Sequence, residues 1–469
     1  MKRYLGLLVF TIVCSLAAGC VVEPPKQANR NGNAALPTAS ASVSPTPSDQ
    51  KAASAQPVTL PVLDAFLTDK SFVDSLKSRL HLSDEQIARL KEAAQSETAK
   101  LSDANAGTAP GESASARTAA KEKIKELIGE EKAQQLETLI AEHWTGDSES
   151  VANKSTSKSS SNDTRSLNNV PSDSRVVVNS PAYRMDVFEK GRLIKTYKIG
   201  IGYPQFPLPT GLRKARTIIF NPTWTPPDEP WVAKMKNVSV GKKVEAGSKL
   251  NPLGPVKIPI GGPSLIHGGK PLAKIGTFAS HGCVGLTTPQ VHDFAKLLAQ
   301  LGGADLTDTD IAAFERTKTE TKELKLAHPV PVELRYETIV VEDGKLHIYR
   351  DVYDEGTNTE ENLRAVLEAN GVRFDELSED VRAQILEALA QMSGSSIAQA
   401  TPSAKVTPND RRASASPSAS PGKSTTKKPL PRVTKNQKEV VIEIAGLSGK
   451  GYPAPVDLDT GAGKGKSKK

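Results

Sequence analysis

One cysteine and two histidines lie close together in the middle of this sequence. His267 comes first, and His281 and Gly282 directly precede Cys283. A thiol is mostly protonated at neutral pH, so a cysteine nucleophile needs a base or a positive field that favours its thiolate. Gly282 permits a tight turn that aims two successive N–H groups at one point, where they can stabilise an oxyanion. These residues favour acyl transfer through a thioester, as in a cysteine-dependent acyltransferase or protease.

Two other interpretations use the same residues. His267, His281 and Cys283 are acceptable zinc ligands, but neither a second cysteine pair nor a His-Glu-x-x-His helix accompanies them. A buried structural cysteine would explain the thiol alone. It would not explain a His-Gly-Cys sequence after a strand, with a second histidine upstream.

The elements around these residues are predicted to be mostly strands. Runs of β-branched and aromatic residues, such as Val176–Val178, Leu193–Ile201 and Val332–Val341, alternate with turns rich in Pro and Gly. One helix is predicted directly after the cysteine, with Thr288 as its N-cap and Pro289 in its first turn. The pattern predicts a mainly β domain.

The pattern resembles the catalytic domain of the YkuD-type L,D-transpeptidases. His267 followed by Ser280-His281-Gly282-Cys283 is similar to the catalytic motif of that family. Further motifs follow in the family's order: Pro209-Thr210-Gly211, Asn221 to Trp224 with Pro226-Pro227, Asn251 to Gly254, and a closing hairpin from Pro329 to Gly344. The resemblance covers about residues 175–353. It implies a YkuD-like β-sandwich with a helix after the catalytic cysteine, flanked here by small helical segments and disordered linkers.

The resemblance also implies a role for each residue of the site. Cys283 would be the nucleophile, and His267, oriented by the backbone carbonyl of Gly268, would be the general base. The remaining residues would form or support the oxyanion hole, namely the N–H groups of Gly282 and Cys283, the side chain of His281, and Ser280, which would support the turn.

The substrate that the resemblance implies is the stem tetrapeptide of peptidoglycan. The thiol would attack the carbonyl group before the terminal D-Ala, and an amine of another stem peptide would resolve the thioester to give a 3→3 crosslink, without a metal or organic cofactor. Resolution by water or by a protein amine would give a carboxypeptidase, an endopeptidase or an enzyme that attaches proteins to the wall. A non-catalytic wall-binding envelope lipoprotein is the remaining alternative, because Gly285 stands where the family commonly has Arg or Asn.

The first twenty residues are typical of a secretory signal. Met1-Lys2-Arg3 precedes an apolar run that ends in Ala17-Ala18-Gly19-Cys20, and this ending resembles a bacterial lipobox. We expect an exported chain on the periplasmic side, anchored by lipid on Cys20, in the outer membrane if the cell has two membranes. A plain signal peptide is the alternative. Lipidation of Cys20 and removal of Cys14 would leave Cys283 as the only free thiol.

The composition divides the chain into folded parts and linkers. Of its 469 residues 37% are hydrophobic and 4% aromatic, with 33 Pro and 34 Gly, which is too little apolar material for one continuous globule. A single long apolar run excludes a polytopic membrane protein, and three cysteines exclude a disulfide scaffold. The predicted divisions are a signal peptide at 1–20, a tether at 21–57, a helical module at 58–145, a linker at 146–170, the catalytic domain at 171–355, a short helical segment at 356–400 and a basic low-complexity tail at 401–469.

The helical module and the tail suggest accessory roles. The module, with a capping box predicted at Ser83–Gln86, is interpreted as a spacer or docking unit. The tail holds 14 Lys and Arg against 5 Asp and Glu in a chain of net charge +8, so contact with anionic envelope polymers is one possible role. No array of aromatic stacking residues accompanies its lysines, and we expect no nucleic-acid partner.

Overall fold

A computed structural model describes four stretches of the chain, at residues 58–101, 112–145, 168–393 and 437–462. The predicted signal peptide with Cys20, the tether, most of the linker and the larger part of the basic tail lie outside these residues. Within the described stretches, no helix is long and apolar enough to cross a membrane.

The described residues of the N-terminal module form five helices around an apolar core. Ser83 caps the third helix, and its side chain and that of Gln86 form the predicted capping box. The aromatic ring of Phe66 lies 5.0 Å from that of Phe72 and 5.1 Å from that of Trp144, so the first, second and fifth helices meet at these rings. The helices are α1 (Leu60–Leu67), α2 (Lys70–Leu80), α3 (Asp84–Lys100), α4 (Glu112–Ile128) and α5 (Glu130–Thr145).

A large curled sheet forms the middle of the chain, and the mainly β fold class is confirmed. Its strands are β1 (Arg175–Asn179), β2 (Arg184–Glu189), β3 (Arg192–Lys198), β5 (Gly211–Phe220), β6 (Val256–Pro259), β7 (Leu265–His267), β9 (Val284–Gly285) and β10 (Lys322–Arg335). They follow the order β3-β2-β1-β10-β5-β6-β7-β9, and β4 (Ile201–Gly202) pairs separately with β8 (Phe278–Ser280).

Three helices belong to this part, namely α6 (Pro230–Ala233), α7 (Thr288–Leu301) and α8 (Asp308–Arg316). Helix α7 follows the cysteine as expected, and it buries Phe294 and Leu298 in the same core as the sheet. Its N-cap is Thr287 rather than the predicted Thr288. The reason is a capping box in which Thr287 and Gln290 exchange side-chain and backbone hydrogen bonds.

The closing hairpin predicted from Pro329 to Gly344 is divided between two sheets, because its first residues belong to β10 of the large sheet. Strands β11 (Ile339–Glu342) and β12 (Lys345–Tyr349) pair with β13 (Glu439–Glu443). Helices α9 (Glu360–Ala369) and α10 (Glu379–Met392) cover this sheet and share its own hydrophobic core. The boundary predicted at 355 therefore passes through the middle of a folded unit.

The predicted low-complexity tail contains an ordered segment. Ile442 in β13 is 2% exposed because it packs in the C-terminal core, so this strand has the partner that the sequence did not identify. The chain then returns to the large sheet. Tyr452 donates a hydrogen bond to Asp186 at 3.1 Å, and the backbone of Asp459 bonds to β3 at Thr196. Residues 437–462 hold two Lys and four Asp or Glu, so the basic excess of the predicted tail does not lie in this ordered segment.

The helical module is packed against the sheet domain. Lys91 forms an ion pair with Asp228 at 2.7 Å, and Lys234 donates to the backbone oxygens of Ala99 and Leu101, at 2.8 and 2.7 Å. On another side, helix α5 contacts β5. The module is therefore a docked unit over its described residues.

Candidate active site

Strand pairing brings the predicted base and nucleophile to one edge of the sheet. His267 ends β7, and Cys283 immediately precedes β9. The two strands are parallel, with Ile266 opposite Val284, so Cys283 lies beside Leu265, two residues before the histidine on the neighbouring strand. Both side chains line one cleft of about 840 Å³.

A short turn fixes the backbone of the cysteine. The Cys283 N–H donates to the Ser280 hydroxyl oxygen at 2.9 Å, and this hydroxyl donates back to the Cys283 carbonyl oxygen at 2.6 Å. Gly282 has φ of +92°, a left-handed conformation that suits glycine. Ser280 thus lies where it can support the turn, as the resemblance implies.

The hydrogen bond to Ser280 corrects one expectation about the oxyanion hole. The Cys283 N–H was expected to face the oxyanion, but it is engaged by the serine hydroxyl in this arrangement. The N–H of Gly282 remains the candidate backbone donor of the predicted pair. For the second N–H to contribute, the Ser280 hydroxyl would have to give up this hydrogen bond.

The second histidine of the motif lies inside an aromatic cluster. The His281 ring stacks on Trp231, with ring centroids 4.5 Å apart and an interplanar angle of 8°. Phe206 and Tyr203 meet the same ring edge-on, at 4.8 and 5.3 Å. His281 lines the cleft, and its ring orientation is set by these aromatic contacts.

The geometry of His267 suits a neutral base. Its Nδ1 lies 2.8 Å from the carbonyl oxygen of Gly268, which favours the tautomer with the proton on Nδ1 and leaves Nε2 as the proton acceptor. The side chain is 3% exposed. Burial, and then the positive charge of Lys270, lower the pKa of His267 to about 3. The ring is therefore uncharged at neutral pH.

The thiol is also uncharged in the resting site. Burial raises the pKa of Cys283 above its usual value, although the backbone near Leu265 and the charge of Lys270 act in the opposite direction. A neutral thiol beside a neutral imidazole is not a preformed ion pair. Proton transfer to the imidazole must accompany nucleophilic attack.

The same residues do not form a metal centre. Within the described stretches, no group of three or more His, Cys, Asp or Glu side chains is positioned to hold a metal ion. His267 is directed by Gly268, and His281 is stacked on an indole ring. The zinc interpretation therefore has no support from this geometry.

Comparison with known proteins assigns the sheet domain. Residues 173–326 match the family model of the L,D-transpeptidase catalytic domain called YkuD. The matched segment is called the YkuD domain. No curated protein sequence matches the chain significantly.

The YkuD domain is also similar to several solved structures. The catalytic domain from the E. faecium L,D-transpeptidase is 14% identical and covers 36% of this chain and 100% of that chain, with a TM-score of 0.22. An L,D-transpeptidase from Mycobacterium smegmatis is 12% identical over 35% of this chain and 58% of that chain, with a TM-score of 0.20. The Ldtfm–avibactam carbamoyl enzyme is 14% identical over 35% and 49%, with a TM-score of 0.20. The chain thus spans between 49% and 58% of the first structures that it matches.

The wall of the cleft that faces the YkuD strands comes from distant parts of the chain. Ala65 and Thr68 near the end of α1, and Leu101 after α3, line the cleft together with Trp224 and Trp231. The two tryptophan rings stack with centroids 6.0 Å apart. The helical module is therefore part of the wall of the catalytic cleft, a role that no local pattern in its sequence indicated.

A buried acid also lines the cleft. Glu229 is 6% exposed, and its carboxylate accepts a hydrogen bond from the indole nitrogen of Trp231 at 2.6 Å. Burial, reinforced by the negative charge of Asp64, raises the pKa of Glu229 to about 7. Burial likewise raises the pKa of Asp64 to about 6.

Sequence reasoning did not find Glu229, Trp231 or Lys270, which all line this cleft. The only available signal was that two of the three tryptophans of the chain lie close together in a Pro-rich segment.

Proposed function

We propose that this protein is an L,D-transpeptidase that forms a thioester between Cys283 and a peptidoglycan stem tetrapeptide, releases D-Ala, and passes the acyl group to an amine. The observation that carries the proposal is the buried, neutral His267, held by Gly268 at the edge of the sheet where Cys283 lies. An uncharged imidazole has a free ring nitrogen for the thiol proton, and the low pKa of His267 means that this proton transfer must be coupled to bond formation by the sulfur.

Acylation needs two proton transfers through the same imidazole. The Cys283 thiol gives its proton to Nε2 of His267 while sulfur bonds to the carbonyl carbon, and the carbonyl oxygen becomes an oxyanion near the Gly282 N–H. The C–N bond to D-Ala then breaks as the imidazolium returns its proton to the departing amine. The product is a thioester and a neutral imidazole.

Transfer to the acceptor reverses these steps. The acceptor amine attacks the thioester carbonyl and gives a proton to His267, and the sulfur leaves and takes that proton back. A stem-peptide amine would produce a 3→3 crosslink. Apolar and aromatic side chains of the cleft, including Leu101, Trp224 and Trp231, limit the access of water and thereby favour an amine over hydrolysis.

The same acyl-enzyme could be resolved in other ways. Water would make the protein a carboxypeptidase or endopeptidase, and a protein amine would make it an enzyme that attaches proteins to the wall. A non-catalytic wall-binding lipoprotein is the alternative of a different class. The neutral His267 and the ordered turn at Cys283 support the enzymatic function over this one.

The cellular setting is proposed on the sequence of the termini. Lipidation at Cys20 would anchor an exported chain on the periplasmic side of a membrane, the outer membrane in a cell with two membranes. The substrate of the enzyme would then be the adjacent wall. The basic residues of 401–436 would contact anionic envelope polymers.

Mass spectrometry of the full chain in detergent with disaccharide-tetrapeptide tests the proposal, with Cys283→Ala as the matched control. Loss of D-Ala together with a dimeric product, both dependent on Cys283, is the expected result. Release of D-Ala without dimer would change the assignment to a carboxypeptidase or to an enzyme whose acceptor is absent. A folded sample that forms neither an adduct nor a product would favour the binding lipoprotein.

A further inference from the structure

Lys270 connects two parts of the active-site backbone. Its N–H donates to the Leu286 carbonyl oxygen at 3.0 Å, just after β9. Its ammonium donates to the carbonyl oxygen of Ala279 at 2.8 Å, just before Ser280. The residue therefore contacts both ends of the segment that contains the nucleophile.

The aliphatic part of Lys270 lies across Gly285. A Cβ atom placed on Gly285 would be 2.8 Å from Cγ and 3.0 Å from Cε of the lysine, distances at which one of the two groups must move. Any side chain at position 285 would therefore displace the lysine. This contact gives a physical reason for glycine at the second position after Cys283.

The charge of Lys270 acts on both catalytic groups. Lys270 lines the same cleft as Cys283 and His267, and its positive charge lowers the pKa of each of them. A positive charge within about 4–6 Å of a group that becomes an anion lowers the pKa of that group by about 1–3. The other titratable residues that line the cleft are Tyr203, Glu229, Lys234, Lys257 and His281, of which Glu229 raises the pKa of the thiol.

We propose that Lys270, held in place by its packing across Gly285 and by the Ala279 carbonyl, supplies the positive charge that stabilises the anion formed at Cys283. The inference deepens the proposed function, because the same charge would stabilise the thiolate and the oxyanion of the acyl intermediate. Gly285 and Lys270 then act as a pair. Gly285 leaves space for the lysine side chain, and Lys270 places its positive charge in the cleft that contains the Cys283 thiol.

The pH dependence of Cys283 alkylation tests the pair without any peptidoglycan substrate. The full chain in detergent is treated with iodoacetamide between pH 6 and 11, and modification of Cys283 is followed by peptide mass spectrometry. The midpoint, which is the pH at which the alkylation rate is half-maximal, should rise by about one pH unit or more in Lys270→Met. In Lys270→Arg this midpoint should stay near that of the parent protein. Lys274→Met, which removes a lysine that does not line the cleft, is the matched control and should have no effect.

The glycine is tested by a double-mutant cycle. Gly285→Ala should move the alkylation midpoint in the same direction as Lys270→Met, because the added methyl group displaces the lysine. Gly285→Ala combined with Lys270→Met should give the midpoint of Lys270→Met alone, since there is no longer a charge to displace. An additive change in the double variant would overturn the role assigned to Gly285.

An unchanged midpoint in Lys270→Met, with an unchanged circular dichroism spectrum and melting temperature, would overturn the proposal. So would equal changes of the midpoint in Lys270→Met and Lys270→Arg, because the charge would then be irrelevant. If the midpoint moves as expected but the parent protein releases no D-Ala, the electrostatic inference stands and the proposed transpeptidase activity fails. If D-Ala is released, Lys270→Met should lower kcat/KM by about tenfold when the midpoint rises by about one pH unit.

Discussion

The two sides of the catalytic cleft are built in different ways. The side that carries the proposed nucleophile consists of neighbouring strands, β7 and β9, and a turn closed by hydrogen bonds between Ser280 and Cys283. The other side combines α1 and the end of α3 with Trp224 and Trp231, which lie far away in the sequence. The first side is held by backbone pairing, and the second by side-chain packing between modules. Local backbone geometry thus fixes the positions of the cysteine and the histidine. The shape of the cleft also depends on how the helical module packs against the sheet.

The docked side depends on a few anchors of unequal strength. Trp144 is 1% exposed, contacts Gly262 of the YkuD domain, and lies under the guanidinium of Arg213 at 6.0 Å. The ion pair of Lys91 and Asp228 leaves both side chains well exposed, at 37% and 55%. A buried indole ring contributes far more to docking than an exposed ion pair.

The largest effect on activity is expected from a substitution of His267, on the strand side of the cleft. His267→Ala removes the general base, so the rate of D-Ala release should fall by about 10²–10⁴-fold. His328→Ala, which changes a histidine that does not line the cleft, is the control and should retain the parent rate. Steady-state release of D-Ala measures both. A retained rate in His267→Ala would exclude this residue as the base.

Removal of the Trp144 side chain should weaken the packing of the helical module against the YkuD domain. Trp144→Ala should lower the free energy of unfolding by about 3–5 kcal/mol, since a large side chain leaves a cavity at the junction of module and YkuD domain. Denaturant unfolding measures the loss, and limited proteolysis reports whether the module is released. A loss below about 1 kcal/mol would mean that the module docks mainly through its other contacts.

The buried acid predicts how stability varies with pH. Because the folded pKa of Glu229 is raised from 4.5 to about 7, the folded protein retains a proton that the unfolded chain loses. This contribution to stability is full below pH 4.5 and is lost as the pH rises through 7. Glu229→Gln should remove the loss and be more stable than the parent at pH 8 by about 3 kcal/mol.

Asp64 should also lower the free energy of unfolding as the pH rises. Its effect falls at lower pH, between its usual pKa of 3.8 and its folded pKa of about 6. Denaturant unfolding between pH 6 and pH 8 reports mainly Glu229, and between pH 3 and pH 5 mainly Asp64. Equal pH dependence in Glu229→Gln and the parent protein would show that Glu229 is ionised in the folded state.

The smallest effect is expected at the exposed ion pair. Lys91→Met should destabilise the protein by about 0.2–1 kcal/mol, and the effect should shrink in high salt. A double-mutant cycle with Asp228→Asn isolates the pair. A coupling energy above about 2 kcal/mol would mean that this contact, rather than the indole anchor, holds the module on the cleft.

Much of the active site was predictable because its residues are neighbours along the chain. The Ser-His-Gly-Cys sequence anticipated a turn at Gly282, and the hydrogen bond of His267 to Gly268 joins adjacent residues. The sequence also anticipated a mainly β domain from the period of its apolar residues. The engagement of the Cys283 N–H by Ser280 was not predicted, because a motif specifies residue types and not which hydrogen bond each N–H makes.

The boundaries of the folded units were less predictable, since pairing partners lie far apart. The β11–β12 hairpin looked like the end of the catalytic domain, but β13, almost a hundred residues later in the chain, completes its sheet. Three successive β-branched residues of β13, Val440 to Ile442, are typical of a strand. No feature of the sequence around it indicated the partner.

The sequence by itself determined which cysteine and which histidine are proposed as nucleophile and base, and where the backbone turns, because these depend on residues adjacent in the chain or in neighbouring strands. Only the tertiary structure decided that a helical module forms one wall of the cleft, that Glu229 is buried beside it, and that Lys270 occupies the space above Gly285. These are contacts between residues that are not neighbours along the chain. Their burial and charge take effect only when the modules have packed together.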